Sequence, residues 1–123
     1  MIAPITCEQV YVIDGDTIAC GNFPAHIRLL GIDAPEMPGH CHGSRVCTPG
    51  DGPASRRIMQ GLVARGAVQC QPEGYDHWRR ILSRCSVGDI DLSCQMVRVG
   101  AAVYRYSHID CPAYRRLERP WVW

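Results

Sequence analysis

The sequence contains no lysine, no run of eighteen apolar residues and no tract of low complexity. Each absence excludes something. Without a long apolar run, no segment reads as a transmembrane helix, and no membrane partner is expected. The opening "MIAPITCEQ" lacks the basic and apolar regions of a signal peptide, so an exported protein would stand here as a trimmed mature form with an added Met. Charge is also scarce. Only 20% of residues are charged against 46% hydrophobic, which excludes a disordered polyelectrolyte and favours a globular chain. A net charge of +1 gives no general attraction to a polyanion. With no internal repeat or linker, 123 residues suffice for one domain, 1–123, and not for two. Because lysine is missing, all thirteen basic residues are arginine, whose planar fork suits bidentate phosphate contacts, although a high-GC genome gives the same bias.

Cysteine, by contrast, is abundant. The eight cysteines, at 7, 20, 41, 47, 70, 85, 94 and 111, are even in number and dense for a small domain. They point to an oxidising, secreted or periplasmic setting and up to four disulfides, with reduced structural cysteines as the weaker alternative. The segment "HCHGSRVC" offers His40, Cys41, His42 and Cys47 to zinc, but the usual two short-spaced cysteine pairs are missing. A small loop closed by Cys41 and Cys47 is the preferred reading. The charges are also segregated. Residues 1–55 hold two arginines and six acids, net −4, whereas residues 56–123 hold eleven arginines and six acids, net +5. An acidic, cation-attracting part beside a basic, phosphate-attracting part suggests metal-dependent phosphate chemistry.

Along the chain, "QVYVIDGDTIAC" starts as a strand, and "DGD" signals a turn or bulge in which Gly15 tolerates positive φ. The next apolar run, "HIRLLGID", follows a short link, so a curved antiparallel hairpin is expected. Within it, Arg28 is flanked by Ile27 and Leu29, and alternation sends it to the opposite face. An irregular segment follows, in which Pro35 favours an extended Ala34 and fixes the path from Asp33 to Glu36. A helix is expected over "PASRRIMQGLVARG", with Ile58, Met59, Leu62 and Val63 inward, Arg56, Arg57 and Gln60 outward, and Gly66 as the stop. "AVQCQPE" and "ILSRCSV" read as a hairpin around "YDHWRR", with Cys70 and Cys85 placed to bridge it. "GDIDLSCQMVRVG" reads as a second helix begun near Asp91 and stopped at Gly100, "AAVYRYSH" as a short strand, and "CPAYRRLERPWVW" as a last helix ended by Pro120. This order suits a mainly β domain, a five-stranded Greek-key barrel of the oligonucleotide-binding type with about three helices.

The acids raise the question of chemistry. Asp16 and Asp33 come from adjacent expected strands and can share a cation. Calcium takes six to eight oxygen ligands, which two carboxylates, a backbone carbonyl, waters and a phosphate would provide. Glu36, past a proline, can hold a water beside that cation. Two arginines would complete a phosphodiesterase site by meeting the charge that grows on the phosphoryl oxygens. Arg28 is one; Arg79 and Arg80 in the hairpin turn are the candidates for the other.

In order, "VIDGDTI", "IRLLGIDAPE", "DHWRR" and "VRVGAAVYRY" resemble the signature blocks of the thermonuclease, or staphylococcal-nuclease-like, family over roughly residues 9 to 106. The resemblance implies a five-stranded oligonucleotide-binding barrel with three helices. It also implies calcium-dependent hydrolysis of DNA and RNA, preferably single-stranded or frayed, giving 3'-phosphate ends and needing no obligate protein partner. By motif, Asp16 and Asp33 match calcium carboxylates, and Ala34 matches a position that ligates through its carbonyl. Asp14 matches a carboxylate that supports the cation from behind. Glu36 matches the residue that activates or orients water, and Arg28 the first catalytic arginine. Where the family has Asp, a variable residue, Tyr, Gly and Arg, this chain has "DHWRR". Arg80 therefore takes the catalytic position, Trp78 that of an aromatic that can stack a base, and Arg79, which stands where glycine is usual, is a further candidate for substrate binding. Tyr106 lies near a phosphate-contacting tyrosine, whereas Tyr104, Trp121 and Trp123 read as packing. The last helix is shorter than usual, and disulfides would offset the lost stability. A non-catalytic barrel that binds nucleic acid or protein is the alternative; a disulfide-rich inhibitor is the more remote one.

Overall fold

Burial alternates along the two longest strands, and that alternation sets the wall of the sheet. In β7 (Ile81–Val87), Ile81, Ser83, Cys85 and Val87 point inward; in β6 (Val68–Tyr75), Val68, Cys70 and Pro72 do. The computed structural model describes residues 2–111. Before these two strands come β1 (Ile5–Cys7), β2 (Val10–Asp14), β3 (Thr17–Cys20), β4 (Ile27–Leu29), β5 (Ile32–Asp33) and the helix α1 (Gly52–Val63). After them come β8 (Ile90–Asp91), the helix α2 (Leu92–Arg98) and β9 (Val103–Tyr104).

The main sheet runs β1-β6-β7-β4-β3-β2, with β8 also on β7, while β5 and β9 form a separate pair. All pairings are antiparallel except β4 with β7. Strands β1 and β2 stand at opposite ends of that order, yet only Glu8 and Gln9 separate them in the chain. One bent segment therefore supplies both edges, and the sheet curls back toward itself as the oligonucleotide-binding architecture requires. The Cys7–Cys20 disulfide ties this corner. Cys70 and Cys85 face each other in register and are bonded, as are Cys41 and Cys47, both as expected; Cys94 and Cys111 form a fourth bridge, a pairing that had not been expected. The Cys41–Cys47 bond removes both sulfurs from any zinc site. Native bridges in small domains contribute about 2–5 kcal/mol each, chiefly by restricting the unfolded chain.

The core against the curled sheet is filled by Ile18, Ile27, Leu29 and Ile81, with Met59 and Leu62 of α1 and Leu92 and Met96 of α2 fully buried beside them. Asp51 caps α1 by accepting from Ala54 N at 2.9 Å, and Pro53 sits in the first turn, where its missing N–H costs nothing. Arg57 and Gln60 are exposed as their spacing requires, and Arg56 reaches over to donate from Nε to the Val12 carbonyl. Asp91 caps α2 through Cys94 N, and Gly100, at φ 78°, follows its end. The third expected helix, with Trp121 and Trp123, lies outside the described residues.

Three local expectations need correction. The strand expected over "AVQCQPE" extends to Tyr75, because a register shift between Pro72 and Gly74 absorbs the proline. Tyr104 is 57% exposed, since β9 is only two residues long and neither of its side chains is buried. Gly15 does not adopt positive φ. Glycine is required there by close approach, because a Cβ would meet Ser55 Oγ at 1.9 Å and Ala34 Cβ at 2.9 Å. Ser55 is buried and donates to the Ala101 carbonyl at 2.7 Å, so it has little room to yield. Gly15→Ala is expected to destabilise the fold by about 1–3 kcal/mol, the usual cost of overpacking. A thermal melt reads this directly, and an unchanged midpoint would show that α1 can move away from the bulge.

Candidate active site

The β2–β3 bulge, β4 and β5 bring the acids and the first arginine together. A register shift between Val12 and Asp14 turns the chain so that Asp14 and Asp16 lie on the same side. Asp14 accepts from Asp16 N at 3.1 Å. Thr17 pairs across the sheet with Arg28, whose β4 neighbours Ile27 and Leu29 anchor it from the core. Arg28 itself is only 8% exposed and therefore needs paired charge. Its Nη2 lies 3.1 Å from Asp33 Oδ1 and 3.4 Å from Asp16 Oδ2, and its Nη1 donates to the carbonyls of Leu29 and Ile32.

Every oxygen of the two buried acids has a donor. Asp16 accepts from Thr17 Oγ1 at 2.8 Å and from Ala34 N at 2.8 Å. Asp33 accepts through Oδ2 from Thr48 Oγ1 at 2.6 Å and from Arg105 Nη1 at 3.0 Å. Burial nevertheless pushes the Asp16 carboxyl up to about 6; Arg28 offsets part of that, while the hydrogen bond and charge of Asp14 add to it. A carboxylate so poorly solvated is stabilised by any further cation.

A cleft of about 460 Å³ opens on this group. Of the residues singled out in the sequence, Asp14, Asp16, Arg28, Glu36, Trp78, Arg80 and Tyr106 line it. Asp33 and Ala34 do not line it and are buried, 2% and 1% exposed, and Arg79, a substrate-binding candidate by sequence, is exposed outside it. Trp78 is exposed, with its ring tilted against His77. Tyr106, at φ 72°, sets its ring against two guanidinium groups, 4.8 Å from Arg105 and 5.9 Å from Arg28.

The β6–β7 turn is organised by Asp76. Its Oδ1 accepts from Trp78 N and Arg80 N, both at 2.9 Å, and its Oδ2 accepts from Arg80 Nε at 2.8 Å. Partial burial works against ionisation of Asp76, but the Arg80 backbone bond, the Arg80 guanidinium and the Trp78 bond outweigh it and hold the carboxyl below its ordinary value. Arg79 has φ 65°, the left-handed region that a glycine would enter freely. Arg79 thus keeps the turn that a glycine would favour, and Arg80 still reaches the cleft.

Sequence reasoning assigned no role to four residues that complete this arrangement. Asp76 was visible as the i−4 partner of Arg80. Arg105, between two tyrosines of "YRY", was visible only as an arginine in a strand. Thr48 and Arg45 lie in the irregular segment and gave no signal. Arg45 Nη2 pairs with Glu36 Oε1.

All the acids here offer hard oxygen, which suits calcium or a similar cation better than a soft metal. Among the described residues no group of three or more His, Cys, Asp or Glu gathers closely enough to form a cage. One oxygen of Asp16 and one of Asp33 approach the same Arg28 nitrogen, so the two acids already converge on a single positive charge.

Residues 26–119 match the family described as "Staphylococcal nuclease homologue". A Haemophilus influenzae protein named "Uncharacterized endonuclease" is 32% identical over 108 residues, covering 84% of this chain and 55% of that protein. The chain thus spans about half the length of that relative. A curled oligonucleotide-binding sheet, acids and arginines facing one cleft, and a family match over most of the sequence lead to one assignment: the chain belongs to the staphylococcal nuclease homologue family.

Proposed function

We propose that the protein is a secreted or periplasmic, calcium-dependent nuclease that hydrolyses phosphodiester bonds of DNA and RNA, preferably single-stranded or frayed, and leaves 3'-phosphate ends. The observation that carries this reading is the convergence of Glu36, Arg28 and Arg80 on one cleft beside the buried pair Asp16 and Asp33. The match to a nuclease family and the relative's name support it.

Asp16, Asp33 and the Ala34 carbonyl would hold calcium, with Asp14 fixing the Asp16 backbone. When bound, calcium supplies charge that neutralises the scissile phosphate. Glu36 then orients or deprotonates water in line with the 5'-oxygen. Arg80 binds the phosphoryl oxygens through its terminal nitrogens, and Arg28 adds its fixed charge beside them, so that both stabilise the charge gained as the water attacks. Arg28 is rigid because its Nη1 is committed to two carbonyls. Trp78 offers an exposed ring on which one base can stack, a contact that tolerates any sequence and is worth about 1–3 kcal/mol. Tyr106 offers its hydroxyl to a neighbouring phosphate. No protein partner is needed for these steps.

The test is cleavage of end-labelled single-stranded DNA by the oxidised protein, with calcium or with excess EGTA. Cleavage with calcium alone, giving ends sensitive to 3'-phosphatase, is the expected result. A folded protein that binds the strand but never cleaves it would transfer the assignment to a non-catalytic barrel.

A further inference from the structure

Glu36 does not face the cleft alone. Arg45 pairs with it and lines the same cleft from an irregular loop. That loop is built to stay. Cys41 and Cys47 close it, with their Cα atoms 6.1 Å apart. On its C-terminal side, Thr48 Oγ1 donates to Asp33 Oδ2, and Arg105 Nη1 bridges the Val46 carbonyl and the same Asp33 oxygen. The loop is thus docked on a buried acid of the site, and Arg45 hangs from its centre toward Glu36.

The three arginines of the cleft differ in freedom. The Arg28 side chain is 9% exposed and bound to two acids, that of Arg80 is 33% exposed and held by Asp76, and that of Arg45 is 50% exposed. With half of its side chain open to water, Arg45 is the arginine of the three that an entering anion reaches most readily, while its partner Glu36 is 14% exposed. A phosphodiester presents the oxygen fork that a guanidinium binds best.

From this we propose that Arg45 is a substrate-positioning residue that passes from Glu36 to a backbone phosphate of the bound strand. The inference rests on the nuclease reading of the cleft. In the free protein, Arg45 occupies the Glu36 carboxylate. When a strand enters, its phosphate takes the guanidinium and leaves Glu36 free to meet water. Strand binding and release of the water-handling carboxylate become one event, and the disulfide loop sets how far along the strand the contact falls.

The test compares the oxidised wild type with Arg45→Gln and Arg45→Lys. Cleavage kinetics on single-stranded DNA are measured in calcium over a series of salt concentrations. Binding of a labelled oligothymidylate is followed by fluorescence anisotropy in EGTA. For Arg45→Gln, KM and Kd should rise about tenfold, as expected for one charged hydrogen bond, with kcat within about twofold. The slope of log Kd against log salt should fall by about 0.7, the signature of one lost phosphate contact on a single strand. Arg45→Lys should restore the slope but only part of the affinity, because the ammonium lacks the fork. Unchanged KM and slope in Arg45→Gln, with a cleaving wild type, would overturn the inference and leave the nuclease reading standing. So would a change in kcat alone, which would mean that Arg45 only holds or blocks Glu36. A wild type that neither binds nor cleaves the strand overturns both.

Discussion

Glu36→Gln should lower phosphodiester hydrolysis by about 10²- to 10⁴-fold, the range over which a positioned general base contributes, while the protein melts close to the wild-type temperature. The fold gives two reasons why the loss should be chemical. The side chain is 14% exposed and its ion pair is with the solvent-rich Arg45, so losing the charge removes little stability. The backbone is fixed independently: a Cβ at Gly52 would come within 2.1 Å of the Glu36 carbonyl, so the start of α1 packs directly on this residue. Glutamine keeps the shape and a hydrogen-bonding oxygen but cannot take a proton from water. Measuring kcat beside a circular-dichroism melt separates the cases. Turnover at the wild-type rate would remove Glu36 from the water-handling role, whereas loss with a collapsed melt would reassign it to the fold.

What the sequence made legible was the part of the site built from short-range chemistry. Asp14 and Asp16 share a bulge, and Arg28 and Asp33 are five residues apart across a strand end, so spacing and resemblance together located them. The pairings of Cys41 with Cys47 and of Cys70 with Cys85 followed from an expected loop and an expected hairpin. Cys7 with Cys20 did not, because it depends on a break at Glu8 and Gln9 that splits the first wall into β1 and β2, and no periodicity marks that break. Two further partners of Asp33 were hidden for a similar reason. Thr48 is 15 residues away and Arg105 is 72, and both reach Asp33 only after the irregular loop and β9 have docked on β5. Gly15 was read for its freedom at positive φ, while its actual service is to let α1 approach, a tertiary fact invisible in "DGD".

The two arginines of "WRR" should separate sharply. Arg80→Ala is expected to lower kcat/KM by about 10²- to 10³-fold, the cost of removing one transition-state donor, and Arg79→Ala by only a few-fold. The turn supplies the reason. Asp76 binds Arg80 twice, at N and at Nε, so the guanidinium is aimed without using its terminal nitrogens in that pair. Arg79 is exposed and outside the cleft, and what it contributes is a backbone at φ 65°. A non-glycine residue there carries about 1–2 kcal/mol of strain, part of which Arg79→Gly should recover as stability without loss of rate. Because Asp76 is held below the ordinary aspartate value, the cradle is lost only at a pH lower than that at which an ordinary aspartate protonates. Steady-state rates for the three variants at neutral pH decide the matter. Arg79→Ala failing while Arg80→Ala cleaves would shift the motif by one residue and make the left-handed arginine, held at a cost in strain, the group that meets the phosphate.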